Sequence, residues 1–222
     1  MSQFVTREHE IEPVPGLPGL PPAGEVILWQ GRPSAKLLSR HLLKVRWIGG
    51  YFLLLAVWAV VSGVHDGREI GGLLFSIAIL AALAAVLVGM IELFAWAVEK
   101  TTLYTITTER VVMRFGVALS MTLNLPFRKI EAVSTAKLDA KGGVIAIAVA
   151  PDTRLSWLIQ WPHVRGWRFS RPEPSLAYLP DVEMATNVLS AAFVQFRASH
   201  ANQLRISVTP SMPSAPAAVA AE

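Results

Sequence analysis

Five histidines, His9, His41, His65, His163 and His200, are the residues here best suited to ligating a metal or accepting a proton. They stand in five unlike contexts, and none belongs to a helical pair of the kind that binds zinc from one face. Cysteine is absent from all 222 residues, which excludes disulfides, thiolate zinc sites, iron–sulfur clusters and cysteine nucleophiles together. Ser156 and Asp152 have no base partner near them in sequence. Neither a phosphate-cradling glycine loop nor a nucleophile elbow occurs. The expectation is a protein that is not an enzyme and holds no intrinsic cofactor or metal.

The composition points elsewhere. Hydrophobic residues make up 53% of the chain and charged residues 16%, where a soluble domain carries about 25% charge. From Trp47 to Val64 run 18 residues without a charge, and from Ile70 to Ile91 run 22 more. Each is near the ~20 residues that a helix needs to cross hydrocarbon. Only His65-Asp66-Gly67-Arg68-Glu69 separates them, so they read as a transmembrane hairpin over 47–98, the second span ending near 91 or continuing to 98. A soluble hairpin buried in a core is the competing reading. The first run starts too late, and lacks the small-residue cleavage site, for a signal peptide. Lys36, Arg40, Lys44 and Arg46 precede the hairpin, and Lys100, Arg110 and Arg114 follow it, while the connecting loop has only Arg68 beside two acids. The bias of Lys and Arg then places both termini in the cytoplasm.

Two features of the second span stand out. Ala81, Ala85 and Gly89 recur every four residues, with Ala78 and Ala82 on the neighbouring ridge. Small residues so spaced let helix backbones approach closely in lipid. The face could pack on the first span or receive a helix from another protein. Glu92 interrupts the apolar stretch, and folding the hairpin about Gly67 brings it within about two turns of Arg46 and Lys44. An interfacial ion pair of Glu92 with Arg46 is expected, in preference to a proton or ligand site.

The segments outside the hairpin differ in character. Residues 1–24, with prolines at 13, 15, 18, 21 and 22, form an extended arm. In 25–46, Glu25–Trp29 is a strand-like run, and Ser34 can cap a basic amphipathic helix with Leu37, Leu38, His41, Leu42 and Val45 on one face. That helix either lies on the membrane or extends the first span. Residues 201–222, rich in Ala, Pro and Ser, read as a disordered tail.

Between them, 99–200 reads as a cytoplasmic domain. Strands are expected at 103–107, 110–115, 120–125, 130–135 and 144–149, with turns at Gly116 and Gly142-Gly143. Trp157, Trp161, Trp167 and Phe169 offer bulk for the core, and 171–180, with three prolines, reads as a loop. A helix from Asp181 aligns Ala185, Val188, Leu189, Ala192, Phe193 and Phe196 on one face. Residues 101–200 carry 11 Lys and Arg against 7 Asp and Glu, a surplus of +4 that favours anionic lipid headgroups. Arg165, Arg168 and Arg171, set among aromatics, form a candidate basic surface. No nucleic-acid-binding module is present.

These residues carry a resemblance. Tyr104-Thr105-Ile106-Thr107-Thr108-Glu109-Arg110-Val111-Val112, then Gly116, then Leu125-Pro126-Phe127-Arg128-Lys129-Ile130 resembles the bacterial pleckstrin-homology-like domain found on membrane hairpins. The resemblance implies an α+β domain whose seven-stranded, strongly bent antiparallel sheet is closed by the C-terminal helix, beside the α-helical membrane hairpin. The stretch Glu8-His9-Glu10-Ile11-Glu12-Pro13-Val14-Pro15-Gly16-Leu17-Pro18, followed by Gly24-Glu25 and Leu28-Trp29-Gln30-Gly31-Arg32-Pro33, narrows it. It is similar to the PuhB family of photosynthetic-complex assembly proteins of purple bacteria, over residues 8 to about 200.

That resemblance implies a non-enzymatic factor of the inner, intracytoplasmic membrane. Its partners would be reaction-centre subunits and core light-harvesting polypeptides, with anionic lipids at the cytoplasmic leaflet and room for a homodimer. Any bacteriochlorophyll contact would come through those partners, since none of the five histidines lies within an uncharged run; a site near His41 stays open. A membrane-anchored lipid-sensing or scaffold protein is the alternative. The family brings no set of catalytic residues to transfer.

Overall fold

The computed structural model describes residues 16–17, 19–150, 155–166 and 169–207, the last seven as helix only. The order of elements begins with β1 (Ile27–Gly31) and a short helix α1 (Ala35–His41). Two long helices follow, α2 (Val45–His65) and α3 (Ile70–Thr101). The remainder is β2 (Leu103–Thr107), β3 (Arg110–Phe115), β4 (Met121–Pro126), β5 (Ile130–Lys137), β6 (Gly143–Val149), the single turn α4 (Trp157–Gln160), β7 (Ser175–Leu179) and α5 (Val182–Ser207).

Both α2 and α3 are long and apolar enough to cross a membrane, and almost none of their apolar windows is buried. A hairpin serving as a soluble core would hide Leu53, Trp58, Leu74 and Phe75, yet each is more than 60% exposed. The turn between the helices needs a positive φ of 64° at Gly67, and Arg68 donates its backbone N–H to the Gly63 carbonyl. At 32 residues, α3 is about 48 Å long, so it continues through Glu92 and beyond the expected end at 91 or 98.

The helix α1 is neither the start of α2 nor a free amphipathic segment. Lys44 adopts the left-handed conformation between them (φ 53°), which breaks the helical path. The apolar face then folds back: Leu38 is fully buried with Ala95 and Val98 of α3, and Leu42, Leu43, Phe94 and Tyr178 pack around them. Ser34 occupies the N-cap position without a side-chain bond. The carboxylate of Glu99 accepts the Ala35 N–H at 2.6 Å instead, which ties α1 to the end of α3.

Seven strands form two sheets, ordered β1-β2-β3-β4 and β5-β6-β7, all antiparallel. The chain changes sheet at a 3-10 turn, Phe127–Lys129, whose Phe127 is buried at the corner. Among the described residues no ladder joins β4 to β5 or β7 to β1, so the bent sheet is not closed into a barrel. The helix α5 lays Val182, Ala185, Leu189, Ala192 and Phe196 on a core of Tyr104, Ile106, Met113, Leu125, Phe127, Ile145, Ile147, Leu176 and Leu179. This is the hairpin and pleckstrin-homology-like arrangement expected from the sequence.

Several expectations are corrected here. The 25–46 segment does not stand apart from the domain, because β1 pairs with β2 across the whole inserted hairpin, Gln30 opposite Thr105 and Gly31 opposite Tyr104. The 171–180 stretch contains a strand: Pro174 and Pro180 bracket β7, and proline is excluded only from a strand's hydrogen-bonded interior. Trp161 and Phe169 are 38% and 58% exposed and so do not fill the core; Trp167 lies outside the described residues. Residues 201–207 continue α5, so the tail begins later than expected. The arm is described only from Gly16, where Leu17 is 1% exposed and Gly16 lies against Leu103.

A partly buried ion pair fastens the start of β1. Arg110 donates from Nε and Nη2 to the two Glu25 oxygens, both at 2.8 Å, and the Glu25 side chain is 4% exposed. Burial alone would raise the Glu25 carboxyl, but hydrogen bonds from Arg110 and Thr107 and the Arg110 charge outweigh it, so its pKa is lowered. Arg110→Ala is expected to remove about 1.5–3 kcal/mol of stability, read as a lower unfolding midpoint in detergent. Because the folded-state pKa is depressed, the contribution of the pair is present above the ordinary carboxylate range and is lost as pH falls through it.

Candidate interaction surfaces

In α3 the half-buried positions recur at Leu73, Ile77, Leu80, Ala84, Val88 and Ile91, the stripe turned toward α2. Near the hairpin turn that seam is tight: a Cβ on Gly63 would lie 2.9 Å from the Leu73 Cδ1. Ala81, Ala85 and Gly89 lie one residue further round and are all exposed, as are Ala78 and Ala82. A Cβ added at Gly89 meets nothing within 4 Å. The small-residue ridge is therefore not used by α2 and faces outward along about two turns of helix.

A second feature lies where α3 enters the domain. His163 is 2% exposed, with Nδ1 2.7 Å from the Tyr104 hydroxyl and Nε2 3.3 Å from the Thr102 Oγ1. A neutral imidazole has one donor and one acceptor nitrogen, and these two hydroxyls serve both. Tyr104 also accepts the Ala177 N–H at 3.2 Å, so one polar node joins β2, β7 and the segment after α4. Burial holds the His163 pKa down at about 3 and pushes the Tyr104 phenol up. Both stay neutral near pH 7, which makes the node a structural tie.

Cations gather at two clefts beside the hairpin's base. Arg32, Lys100 and Arg114 line one of about 610 Å³, together with the Gly116–Ser120 loop. Arg40, His41, Lys44, Arg46 and Trp47 line another of about 390 Å³, closed by Leu138 and Asp139. Among the described residues, no group of three or more His, Asp or Glu could hold a metal ion.

The sequence profile of the bacterial PH domain matches residues 45–192, two-thirds of the chain and both long helices. The chain belongs to the bacterial PH domain family. It is also similar to an uncharacterized 23.7 kDa protein in the puhA 5' region of Rhodobacter capsulatus, 38% identical over 187 residues, covering 84% of this chain and 87% of the relative. No solved structure matches. Both findings agree with the resemblance to the PuhB family.

In this bacterial PH domain the family-like motifs are joined in space. Glu25 from the N-terminal motif pairs with Arg110 from the Tyr104–Ile130 motif, Gln30 donates to the Thr105 hydroxyl at 3.0 Å, and Tyr104 anchors the His163 node. Gly116 has φ 127°, and a Cβ there would come within 1.9 Å of the Leu119 carbonyl oxygen. These residues hold the bacterial PH domain together around its inserted hairpin. The family is one of non-catalytic modules.

The other candidate residues fare differently. Glu92 and Arg46 are both exposed, and no ion pair joins them; each projects away from the helix seam. Arg165 is engaged by Glu173, Nη1 to Oε2 at 3.0 Å, so its charge is offset. Arg171 is exposed and Arg168 lies outside the described residues. The cations that do converge, Arg32, Lys100 and Arg114, come from three segments: the β2–β3 pairing sets Arg114 opposite Leu103, just after Lys100, and the β1–β2 pairing brings Arg32 to them. Reading the hairpin as an insertion between neighbouring strands would have been the signal that found them.

Proposed function

We propose that this chain is a non-enzymatic integral membrane factor that assists assembly of the photosynthetic reaction centre and its core light-harvesting antenna. The observation that carries the reading is the 38% identity, across most of both chains, with a protein named for the puhA region. The exposed ridge of Ala81, Ala85 and Gly89 supports it, because an assembly factor needs a lateral face open to other helices and this one is unused within the hairpin. In this reading α2 and α3 cross the inner, intracytoplasmic membrane and the PH domain lies with both termini in the cytoplasm. Reaction-centre subunits and core antenna polypeptides are the partners, and bacteriochlorophyll is met through them.

Affinity purification of the tagged chain from cells building photosynthetic membrane tests this. Recovery of reaction-centre and antenna subunits is expected; recovery of lipid alone sinks the reading. That second outcome would favour a membrane-anchored lipid-sensing or scaffold protein, to which the cleft of Arg32, Lys100 and Arg114 lends support. Binding that disappears at moderate salt would mark only the general attraction of a basic surface for anionic lipid.

A further inference from the structure

An apolar tip projects from the PH domain beside α3. Leu119 in the β3–β4 loop is 81% exposed, Leu158 and Ile159 of α4 are 77% and 53% exposed, and Met121 is 43% exposed. Leu119, Met121 and Ile159 line one cleft of about 160 Å³ with Phe94 and Val98 of α3. Trp161 closes the gap, stacking on Phe94 with ring centroids 5.7 Å apart and planes inclined by 23°. The tip is thereby continuous with the outer surface of α3, where Leu93 and Trp96 are 63% and 54% exposed.

We infer that this tip is a second membrane contact, seated in the interfacial layer of the cytoplasmic leaflet. The inference rests on the reading of α2 and α3 as spans. The uncharged run of α3 ends at Ile91, so the α3 wall of this cleft starts at Phe94, about 4.5 Å beyond it, and reaches Val98, about 10.5 Å beyond it, at ~1.5 Å per residue, from the depth of headgroups and glycerol outward. Trp47, 78% exposed at the start of the other run, and Trp96, about 7.5 Å past Ile91 at ~1.5 Å per residue, both lie near this boundary, where amphipathic rings settle. Apolar side chains this exposed and contiguous mark a protein or membrane contact. The membrane is the occupant favoured here on two grounds. The tip extends a surface already turned to lipid, and the Gly116–Ser120 loop that carries Leu119 also borders Arg32 and Lys100. Exposed apolar residues beside cations match acyl chains beside anionic phosphates. Seating the tip would fix the PH domain's tilt against the bilayer, leaving the Ala81, Ala85 and Gly89 face in a constant orientation toward partners.

The absence of cysteine makes a direct test clean. Single variants Leu119→Cys, Leu158→Cys, Leu83→Cys and Val194→Cys of the full chain are spin-labelled in nanodiscs containing anionic phospholipid. Accessibility to oxygen is compared with accessibility to a water-soluble nickel chelate. Leu83 on α3 is the lipid reference and Val194 on α5 the water reference, both exposed. The oxygen-to-nickel ratio at 119 and 158 is expected to be several-fold above that at 194 and to approach that at 83. A lipid-like ratio at 83 with water-like ratios at 119 and 158 overturns the seated tip alone. A water-like ratio at 83 overturns the spanning reading beneath it. Low access of both reagents at 119 and 158 also overturns the inference, since a second copy of the chain would then cover the tip.

Discussion

Replacing Gly89 with leucine is expected to lower the amount of assembled reaction centre and antenna several-fold, with the variant itself inserted at normal levels. The position has open space around it, nothing lying within 4 Å of an added Cβ, so the hairpin loses no internal contact. What is lost is close approach. Helices associate in lipid through packing at small residues rather than through exclusion of water, and an isobutyl group on the ridge holds a partner backbone away. A loss of about 1.4 kcal/mol is already a tenfold drop in affinity. Ala85→Leu, one turn earlier on the same exposed ridge, is expected to act alike. Leu83→Ala is the control, exposed but about 160–200° round the helix from Ala85 and Ala81 at 100° per residue, and should leave assembly unchanged. Quantifying complex by absorbance, with variant abundance by immunoblot, checks this. Normal complex in Gly89→Leu and Ala85→Leu cells would remove the docking face from the account.

His163→Ala is expected to destabilise the PH domain by about 2–4 kcal/mol, combining a cavity with hydroxyls left without their partner. The ring lies in contact with Phe115, centroids 5.0 Å apart, as well as bonding Tyr104 and Thr102. Its titration gives a sharper signature. Burial depresses the folded-state pKa to about 3 from an ordinary 6.5, so between those values the unfolded chain binds a proton that the folded chain refuses. Stability therefore falls as pH drops below 6.5, approaching ~1.4 kcal/mol per pH unit for this one site. His163→Phe removes the titration while keeping a ring, and its unfolding midpoint should depend less on pH between 6.5 and 4.5. Below that window the Glu25–Arg110 pair weakens in the same direction. Parallel pH profiles for wild type and His163→Phe would show that the histidine is not held neutral.

The hairpin was legible because lipid imposes a coarse rule, about 20 apolar residues without charge, and two runs bounded by Arg46, Asp66, Glu69 and Glu92 obey it. The α5 face was legible through its 3.6-residue period, and Val182, Ala185, Leu189, Ala192 and Phe196 are buried as the pattern requires. What escaped depended on distant partners. Gln30 bonds Thr105 across 75 positions, and no local period announces such a pair, so β1 and the adjoining Arg32 were separated from the domain. β7 was hidden by its flanking prolines. Arg165 looked like a free cation because Glu173, eight residues on, lay in what read as a loop. The ridge of Ala81, Ala85 and Gly89 was visible from spacing, but only the helix packing decides that it faces outward.

Time-resolved purification bears most directly on the assembly role. The tagged chain is recovered at intervals while photosynthetic membrane forms, and co-purifying subunits are quantified against it. A transient factor predicts reaction-centre and antenna subunits in substoichiometric amounts that fade as the membrane matures. Constant stoichiometry in mature membrane would contradict it and make the chain a resident subunit; recovery of no photosynthetic subunit at any time would contradict the photosynthetic role altogether.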